Sequence, residues 1–492
     1  MARELLSSTL ISSEIMSKKE KIELAHDQKC AMARFVEFTN GRGKIFILKG
    51  YAGTGKTTMV KEMIKLLKEK NEKYRLLAST GRAAKILHDK TGEETSTVHS
   101  CIYKYSDFNQ DLDKVVDERE RNKGVDSTGQ LLLNFTLSVL EDNNITTYYI
   151  IDEASMISDD EDKAAYQAAF GSGRLLYDLL EHDPNGKYIF IGDVCQLPPI
   201  SQKESPALSV DYFRRTFGQD AVEVTLTEIK RQETGNDIVV AAQKLRRLYE
   251  HPQTWVWAKF PMKGFQNIHL LYSQAELVQK YIDRVRKYGN TDSTLICFSN
   301  KLCDTLTRII RPALGFTSPQ LQKGDLLLVT QNNYISGLMN GDQVVVDSVQ
   351  VKEKRAGLTF LEISFHEVLT GKEYSQLMIA DILYANQTNL SSAQQKELFV
   401  EFFIRMKKKG IKQKSEMFNK MMMCDPYLNA LRAVFGFALT CHKVQGGEWD
   451  NVFLDIPRSF PRREKPYVYQ WVYTAMTRAR KELYSINDFY IM

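Results

Sequence analysis

The chain has 492 residues, of which 43% are hydrophobic and 26% are charged. These proportions are ordinary for globular proteins and point away from a disordered, fibrous or membrane-embedded chain, and the length allows about two to four domains. With 66 basic and 61 acidic side chains, the formal net charge of +5 is too small to indicate a polyanionic partner by itself.

The start of the chain and its cysteines indicate a compartment. Residues 1–21 hold no continuous apolar segment of the kind a secretory signal requires, and no later stretch approaches the roughly 18 apolar residues of a membrane span. The seven cysteines are an odd number, and none of their spacings fits a zinc site. We expect a cytoplasmic protein with reduced thiols and no membrane partner.

The first predicted unit lies within residues 44–82. A strand at 45–48, a glycine-rich loop at 50–58, a helix with apolar residues at helical spacing and a second strand at 75–78 follow one another. This order is typical of a β-α-β unit and predicts a parallel sheet. Short apolar runs at 147–151 and 188–191, each followed by acidic residues, predict two more buried strands of that sheet.

Later segments interrupt and then repeat this pattern. Residues 101–146 hold a polar, charged stretch and an apolar run, which we interpret as an inserted subdomain. A second α/β pattern begins near Val222 and is broken by a β-rich stretch at 324–365 that contains the turn Asn340-Gly341. A helical segment at 393–409 comes next, and the α/β pattern returns from Val434.

The glycine-rich loop carries the clearest chemical signal. Gly50-Tyr-Ala-Gly53-Thr-Gly55-Lys56-Thr57 matches G-x-x-x-x-G-K-[ST] and lies between a predicted strand and a predicted helix. In such a loop, backbone N–H groups and the helix N-terminus hold phosphate oxygens. We expect Lys56 to reach the β- and γ-phosphates and Thr57 to ligate Mg²⁺.

Two adjacent carboxylates end the run at 147–151. Phosphoryl transfer to water needs one carboxylate near the magnesium ion and one to orient or deprotonate the attacking water. We assign Asp152 to Mg²⁺, through water, and Glu153 to the attacking water. By themselves these residues would be more typical of a solvated turn, and it is the phosphate loop upstream that favours the catalytic interpretation.

Three further segments resemble a known family. Gly192-Asp193-Val-Cys-Gln196-Leu197-Pro198-Pro199, Thr440-Cys-His442-Lys443-Val-Gln445-Gly446 and Tyr473-Thr-Ala-Met-Thr477-Arg478-Ala-Arg480 are similar to the third, fifth and sixth motifs of superfamily 1 (group B) DNA helicases, in the RecD-like group that includes phage Dda. Gln28 and residues 78–84, 95–100 and 226–232 resemble further motifs of this group. The matches keep the family's order from residue 28 to residue 480.

The resemblance implies roles for individual residues. The implied catalytic residues are Lys56, Asp152, Glu153, Gln196 as the γ-phosphate sensor, and Arg231 and Arg478 as arginines that neutralise the transferring phosphoryl group. The implied ATP-binding residues are Gln28, which would read adenine, and Gly50, Gly53, Thr54, Gly55, Lys56, Thr57, Thr58, Gln445 and Gly446. ATP is the implied substrate, and Mg²⁺, at Thr57 and Asp152, is the implied cofactor. For Arg478, a surface salt bridge is the alternative.

The implied DNA-binding residues are Thr80, His99, Pro198, Thr440, His442 and Phe135. Hydroxyl and aromatic groups suit single-strand binding without sequence preference. Helix capping by the threonines and core packing by the histidines are the alternatives. Phe135 is a candidate wedge between duplex strands, and its alternative is the core of its subdomain.

The implied fold class is α/β, with two RecA-like P-loop domains built on parallel sheets with flanking helices and with small inserted subdomains, one of them β-rich and SH3-like. We expect the first motor domain at residues 1–100 and 147–221, with a pin or wedge subdomain at 101–146. The second motor domain is expected at 222–321 and 430–492, with the SH3-like subdomain and a helical extension at 322–429.

The implied activity is ATP-dependent 5′→3′ movement on single-stranded DNA with unwinding of duplex. A monomer is compatible with this activity, and the sequence does not determine the oligomeric state. A translocase subunit without unwinding of its own, an ATP-gated nucleic-acid switch, and RNA as the substrate remain alternatives. Charge is uneven along the chain: residues 107–126 carry a net −3, and residues 401–420 a net +5. The basic cluster at 405–414 is therefore either a DNA-backbone contact or a solvated face.

Overall fold

The computed structural model describes residues 23–121, 130–140, 145–161, 168–200, 202–229, 236–385 and 387–492. Its strands are β1 (Ile45–Gly50), β2 (Lys73–Ala78), β3 (Thr95–Thr97), β4 (Tyr103–Phe108), β5 (Leu133–Leu137), β6 (Thr147–Asp152), β7 (Ala168–Phe170), β8 (Lys187–Gly192), β9 (Ala221–Leu226), β10 (Ile268–Leu271), β11 (Ser293–Cys297), β12 (Leu326–Val329), β13 (Gln343–Arg355), β14 (Leu358–Glu367), β15 (Glu373–Ile379), β16 (Ala433–Phe435), β17 (Ala438–Thr440), β18 (Trp449–Leu454) and β19 (Ala479–Ile486).

The longer helices are α1 (His26–Asn40), α2 (Lys56–Glu69), α3 (Gly81–Thr91), α4 (Leu112–Arg121), α5 (Leu175–His182), α6 (Ile238–Glu250), α7 (Gln274–Tyr288), α8 (Asn300–Ala313), α9 (Ser392–Lys408), α10 (Glu416–Cys424) and α11 (Lys465–Met476). Short helical turns occur at Val98–Ile102, Ala154–Met156, Pro206–Leu208, Val210–Tyr212, Phe213–Phe217, Asp381–Tyr384, Cys441–Val444 and Phe460–Arg462. Among the described helices, none is long and apolar enough to cross a membrane. All seven cysteines are free thiols.

The first parallel sheet has the strand order β3-β2-β6-β8-β1-β9. Its central strands are apolar on both faces because helices cover both sides, as a parallel sheet requires. In β1, Phe46 and Leu48 join one apolar core, while Ile45 and Ile47 join another on the opposite face. The strands predicted at 45–48, 75–78, 147–151 and 188–191 all lie in this sheet.

Strand β9 corrects one prediction. The second α/β unit was expected to begin near Val222, but residues 222–226 pair in parallel with β1 and complete the first sheet. A short, half-apolar strand has no local feature that tells which sheet it will join, because that choice depends on a partner distant in sequence.

The second parallel sheet has the order β10-β19-β18-β11-β17. Helix α11 packs against it, and residues 468–476 of this helix are all buried. With two parallel α/β sheets and two inserted β-containing subdomains, the structure confirms the predicted fold class.

The β-rich insertion is a five-stranded antiparallel sheet with the order β15-β14-β13-β12-β16. Gly341 lies in the predicted turn with φ of 98°, a left-handed conformation that favours glycine. Strand β16 pairs with β12 and so belongs to this insertion. The α/β pattern was expected to return at Val434, and it returns a few residues later.

The insertion after residue 100 forms a three-stranded sheet, β4-β5-β7. Strand β7 comes from residues 168–170, beyond the expected limit at 146, and pairs in parallel with β5. The helical extension, α9 and α10, shares one apolar core with this subdomain, and the rings of Phe108 and Phe399 lie 5.0 Å apart.

The acidic and basic runs noted in the sequence face each other across this contact. Lys407 lies 2.7 Å from Asp113, and Lys414 lies 3.2 Å from Asp107. Arg405 also pairs, with Asp425 at 2.7 Å. Three of the six basic residues at 405–414 are therefore engaged by carboxylates, which weakens the interpretation of this cluster as a DNA-backbone contact.

Candidate nucleotide site between the two parallel sheets

The phosphate loop connects β1 to α2 in a conformation that its glycines permit. Gly53 and Gly55 have φ of 83° and 80°. A Cβ atom on Gly50 would lie 2.8 Å from Thr54 Oγ1, and one on Gly55 would lie 2.5 Å from Gln28 Nε2. Gly55 provides no side-chain cap for α2, which leaves the first N–H groups of the helix for an anion.

Side chains inside and behind the loop hold this shape. Lys56 Nζ donates to the carbonyl oxygens of Gly50, at 2.8 Å, and Tyr51, at 3.2 Å. The buried Thr54 donates its hydroxyl to the same Tyr51 carbonyl at 2.9 Å. Thr57 lines the cleft in front of the loop, and Thr58 is half-buried.

Gln28 lies behind the loop. Its Oε1 accepts from the Ala25 N–H at 3.0 Å, and its Nε2 donates to the Thr54 carbonyl at 3.0 Å. The buried amide therefore supports the loop through main-chain contacts. The contact with adenine that was expected for Gln28 stays a prediction.

The two predicted carboxylates lie at the end of β6, beside the loop. Asp152 Oδ1 accepts the Glu153 N–H at 2.9 Å. Burial, followed by the neighbouring Glu153 charge, raises the pKa of Asp152. Glu153 has φ of 52°, an uncommon conformation for a non-glycine residue, and its Oε2 is buried without a hydrogen-bond partner among the described residues.

Gln196 approaches the same space from the segment after β8. Its side chain is buried, lines the cleft, and has an Oε1 without a hydrogen-bond partner in the described part of the chain. Unpaired buried polar atoms are costly, so their occurrence on both Glu153 and Gln196 indicates a space built for a polar ligand.

The second sheet contributes Arg478 from the end of α11. The buried guanidinium donates to the carbonyls of Thr474, at 3.1 Å, and Gly447, at 3.3 Å. No carboxylate of the described residues lies within ion-pair distance, so the structure excludes the surface salt bridge considered for it. Arg231 lies outside the described residues.

Gln445 and Gly446 also come from the second sheet. Gln445 Nε2 donates to the Leu197 carbonyl at 3.1 Å and so contacts the segment that carries Gln196. Gly446 has φ of 76°, and a Cβ there would lie 3.1 Å from Ala83. This close approach needs a glycine.

A cavity of about 350 Å³ lies between the sheets at this site. It is lined by Tyr51, Ala52, Gly53, Gly55, Lys56, Thr57, Ala83, Ile86, Leu87, Lys90, Asp152, Glu153, Gln196, Gly446, Glu448, Thr477 and Arg478. The phosphate loop, both carboxylates, Gln196 and Arg478 thus share one cleft although they are far apart in sequence.

The predicted DNA residues divide into two groups. Thr80 caps α3, since its hydroxyl accepts the Ala83 N–H at 3.2 Å. Pro198 is buried, which leaves no surface for the expected contact with DNA. Phe135 stacks on Phe170 with ring centroids 4.7 Å apart, and the His99 ring lies 5.3 Å from the same phenylalanine. These contacts favour the capping and packing alternatives.

The other group consists of Thr440 and His442, and Thr440 lies at a groove of about 770 Å³. Thr440 ends β17 and lines this groove beside Asn300, Lys301 and Lys443. Burial lowers the pKa of Lys443, for which no carboxylate partner exists among the described residues. His442, two residues after Thr440, is half-buried, and burial lowers its pKa.

Two family models match the chain. Residues 23–252 match an AAA domain, and residues 435–486 match a UvrD-like helicase C-terminal domain. The ATP-dependent RecD2 DNA helicase of Deinococcus radiodurans is 24% identical over 460 residues, which cover 90% of this chain and 47% of that protein. The ATP-dependent DNA helicase dda of Enterobacteria phage T4 is 24% identical over 330 residues, which cover 65% of this chain and 64% of that protein.

Both models and both relatives agree with the resemblance to RecD-like helicases that the motifs carry. The chain spans less than half the length of the Deinococcus relative. A crystal structure of Pif1 helicase from Bacteroides with ADP-AlF3 and ssDNA aligns with 96% of the chain and 94% of its own length, at 15% identity and a TM-score of 0.46.

Several residues of this site were not predicted from the sequence. Tyr473, Thr474 and Gln470 of α11 all contact the segment that carries Gln196. Tyr51 in the phosphate loop contacts Arg246 of α6. Tyr473 begins the segment that carries Arg478, five residues before it. A tyrosine that is buried usually needs a hydrogen-bond partner, and this was the sequence feature that could have indicated its role.

Proposed function

We propose that this protein is an ATP-driven motor that moves 5′→3′ on single-stranded DNA and unwinds duplex. The observation that carries this proposal is the cleft in which the phosphate loop, Glu153 and Gln196 of one sheet face Arg478 of the other. A site completed by two domains ties ATP hydrolysis to their relative position, which is what a motor requires.

In the proposed reaction, the loop amides and Lys56 hold the phosphates of ATP. Glu153 orients the attacking water, and its unpaired Oε2 is available to accept a proton from it. Arg478 and Gln196 contact the γ-phosphoryl group as its charge spreads over three oxygens. For Arg231 we propose the same role as for Arg478.

The oxygen donors at the loop fit a magnesium ion. Thr57 and Asp152 both line the cleft, and a hydroxyl with one carboxylate, completed by phosphate oxygens and water, is a donor set that Mg²⁺ accepts. When bound, the ion would neutralise charge on the β- and γ-phosphates. We therefore propose ATP as the substrate and Mg²⁺ as the cofactor.

Single-stranded DNA and duplex junctions are the proposed partners. The groove beside Thr440 supports this, because Lys443 and Lys301 line it together with hydroxyl and amide side chains. Such groups bind a phosphate backbone without reading sequence. A wedge role for Phe135, a monomeric state and a cytoplasmic location remain predictions.

Matched partial duplexes test the proposal. Purified protein is given ATP and DNA with only a 5′ tail, only a 3′ tail, or an RNA tail, and strand displacement and ATP hydrolysis are measured together. We expect displacement on the 5′-tailed DNA and none with Lys56→Ala. Strand displacement on the 3′-tailed DNA alone would overturn the proposed 5′→3′ direction. ATP hydrolysis that increases with tail length, without strand displacement, would indicate a translocase.

A further inference from the structure

One hydroxyl group joins the two parallel sheets at the phosphate loop. Tyr473 Oη accepts the N–H of Ala52 at 3.0 Å and donates to Asp193 Oδ2 at 2.9 Å. Ala52 lies in the loop and Asp193 follows β8, so both belong to the first sheet, whereas Tyr473 lies on α11 of the second. A single side chain of one domain therefore holds two separate segments of the other.

These hydrogen bonds are made in a fully buried place. Asp193 is 0% exposed and Tyr473 is 3% exposed. Burial and the Asp193 charge raise the pKa of Tyr473 far above its usual range, so the hydroxyl stays protonated and can donate and accept at once. The other oxygen of Asp193 accepts the Cys195 N–H at 3.0 Å, which fixes the turn before Gln196.

Helix α11 holds the rest of that turn as well. Gln470 Nε2 donates to the Val194 carbonyl at 3.3 Å, and Thr474 Oγ1 accepts the Leu197 N–H at 2.9 Å. Gln196 lies between these contacts. Its position therefore depends on the second sheet, although its own strand belongs to the first.

The residue beside Ala52 is held from the second sheet too. The Arg246 guanidinium lies 3.8 Å from the centroid of the Tyr51 ring, and the Tyr51 hydroxyl donates to Glu250 at 3.0 Å. Arg246 and Glu250 lie on α6, which packs against α11 in one apolar core. The beginning of the phosphate loop is thus in contact with two helices of the opposite domain, α6 and α11.

We propose that Tyr473 is a positioning residue that makes ATP hydrolysis conditional on closure of the two sheets. This inference rests on the proposed function. Tyr473 acts through the loop backbone at Ala52 and through the segment that carries Gln196. Because Arg478 follows the end of the same helix, closure brings the arginine into the cleft and fixes Gln196 in one movement.

Tyr473→Phe tests this, because it keeps the buried ring and removes only the hydroxyl. Single-strand-stimulated ATP hydrolysis is measured together with the affinities for ADP and for ADP–aluminium fluoride, a transition-state mimic. We expect kcat to fall about tenfold or more and the affinity for the mimic to fall about tenfold, with KM for ATP and the affinity for ADP within about threefold of wild type.

Tyr490→Phe is the matched control. Tyr490 is equally buried in the second domain, and its hydroxyl donates to the Ile456 carbonyl at 2.8 Å, away from the cleft. The Tyr490→Phe variant loses a buried hydrogen bond that does not involve the phosphate loop, and we expect its kcat to stay within about twofold of wild type. The inference is overturned if Tyr473→Phe lowers kcat no more than this control, or if the affinities for ADP and for the mimic fall in parallel.

Lys56→Ala separates this inference from the proposed function. If the wild-type protein does not hydrolyse ATP, or if Lys56→Ala hydrolyses it at the wild-type rate, the proposed function fails and the inference fails with it. If Lys56→Ala abolishes hydrolysis while Tyr473→Phe behaves like Tyr490→Phe, only the role of Tyr473 is wrong.

Discussion

The Arg82 guanidinium lies 4.5 Å from the centroid of the Trp449 ring, although Arg82 lies in the first turn of α3, beside the first sheet, and Trp449 begins strand β18 of the second. Arg82 Nη1 also donates to the Gly341 carbonyl at 3.1 Å, and Lys85, one turn later, pairs with Asp342 and with Glu367. Thr80, immediately before α3, was expected to contact DNA. Arg82 and Lys85 instead form contacts across the cleft that connect α3 to the second domain and its β-rich insertion.

We predict that Arg82→Ala slows hydrolysis without weakening DNA binding. Loss of a stacked guanidinium at a buried contact lowers the free energy that favours domain closure by about 1–2 kcal/mol. This corresponds to a kcat about tenfold lower. The single-strand affinity and its salt dependence should match those of the surface control Arg34→Ala. A smaller salt slope for Arg82→Ala would show instead that Arg82 contacts phosphates.

Arg478→Ala should abolish most hydrolysis and keep nucleotide affinity within a few-fold. An arginine that contacts the transferring phosphoryl group contributes on the order of 10³ to turnover, with little effect on ground-state binding. Steady-state kinetics and a nucleotide titration measure the two effects. The control is Lys481→Ala, a nearby exposed residue that pairs with Asp450. A large loss of nucleotide binding in Arg478→Ala would contradict the assigned role.

Asp152→Asn should stabilise the protein at neutral pH while it removes activity. Burial raises the pKa of Asp152 in the native state above its value in the unfolded state. Between these two pKa values the native state holds a proton that the unfolded state has lost, so the stability of the protein falls as pH rises through this range. Asparagine does not ionise, so the variant does not lose this stability. Its gain in the free energy of unfolding should be on the order of 1 kcal/mol at pH 8 and smaller at pH 5. Thermal unfolding at both pH values measures it, and an equal gain at both would contradict the explanation.

Phe399→Ala should loosen the inserted three-stranded subdomain. Phe399 is buried against Phe108 in the core shared with the helical extension, and such a truncation costs about 3–5 kcal/mol. We expect faster proteolysis within residues 103–121 and loss of strand displacement, with single-strand-stimulated hydrolysis retained. Ile404→Ala, an exposed change on the same helix, is the control. Full displacement by Phe399→Ala would show that the subdomain does not need this support.

The sequence was sufficient where function depends on short, local patterns. The loop from Gly50 to Thr57 was predictable because a strand, a glycine-rich turn and a helix N-terminus are coded by adjacent residues. Asp152 and Glu153 were predictable because buried parallel strands end at one edge of a sheet. The presence of Arg478 and Gln196 near the loop was predictable from the order of the motifs, which the resemblance provided.

The tertiary structure decided which residues meet across the cleft. That Arg82 turns toward Trp449, that Tyr473 reaches Ala52 and Asp193, and that β9 completes the first sheet all depend on contacts between segments far apart in sequence. No local spacing encodes such contacts, because they arise only when two domains pack and buried polar groups take the partners that the closed cleft provides. The sequence alone predicted where the phosphate loop and its two carboxylates lie, and the packing of the two sheets decided which residues of the second domain meet them.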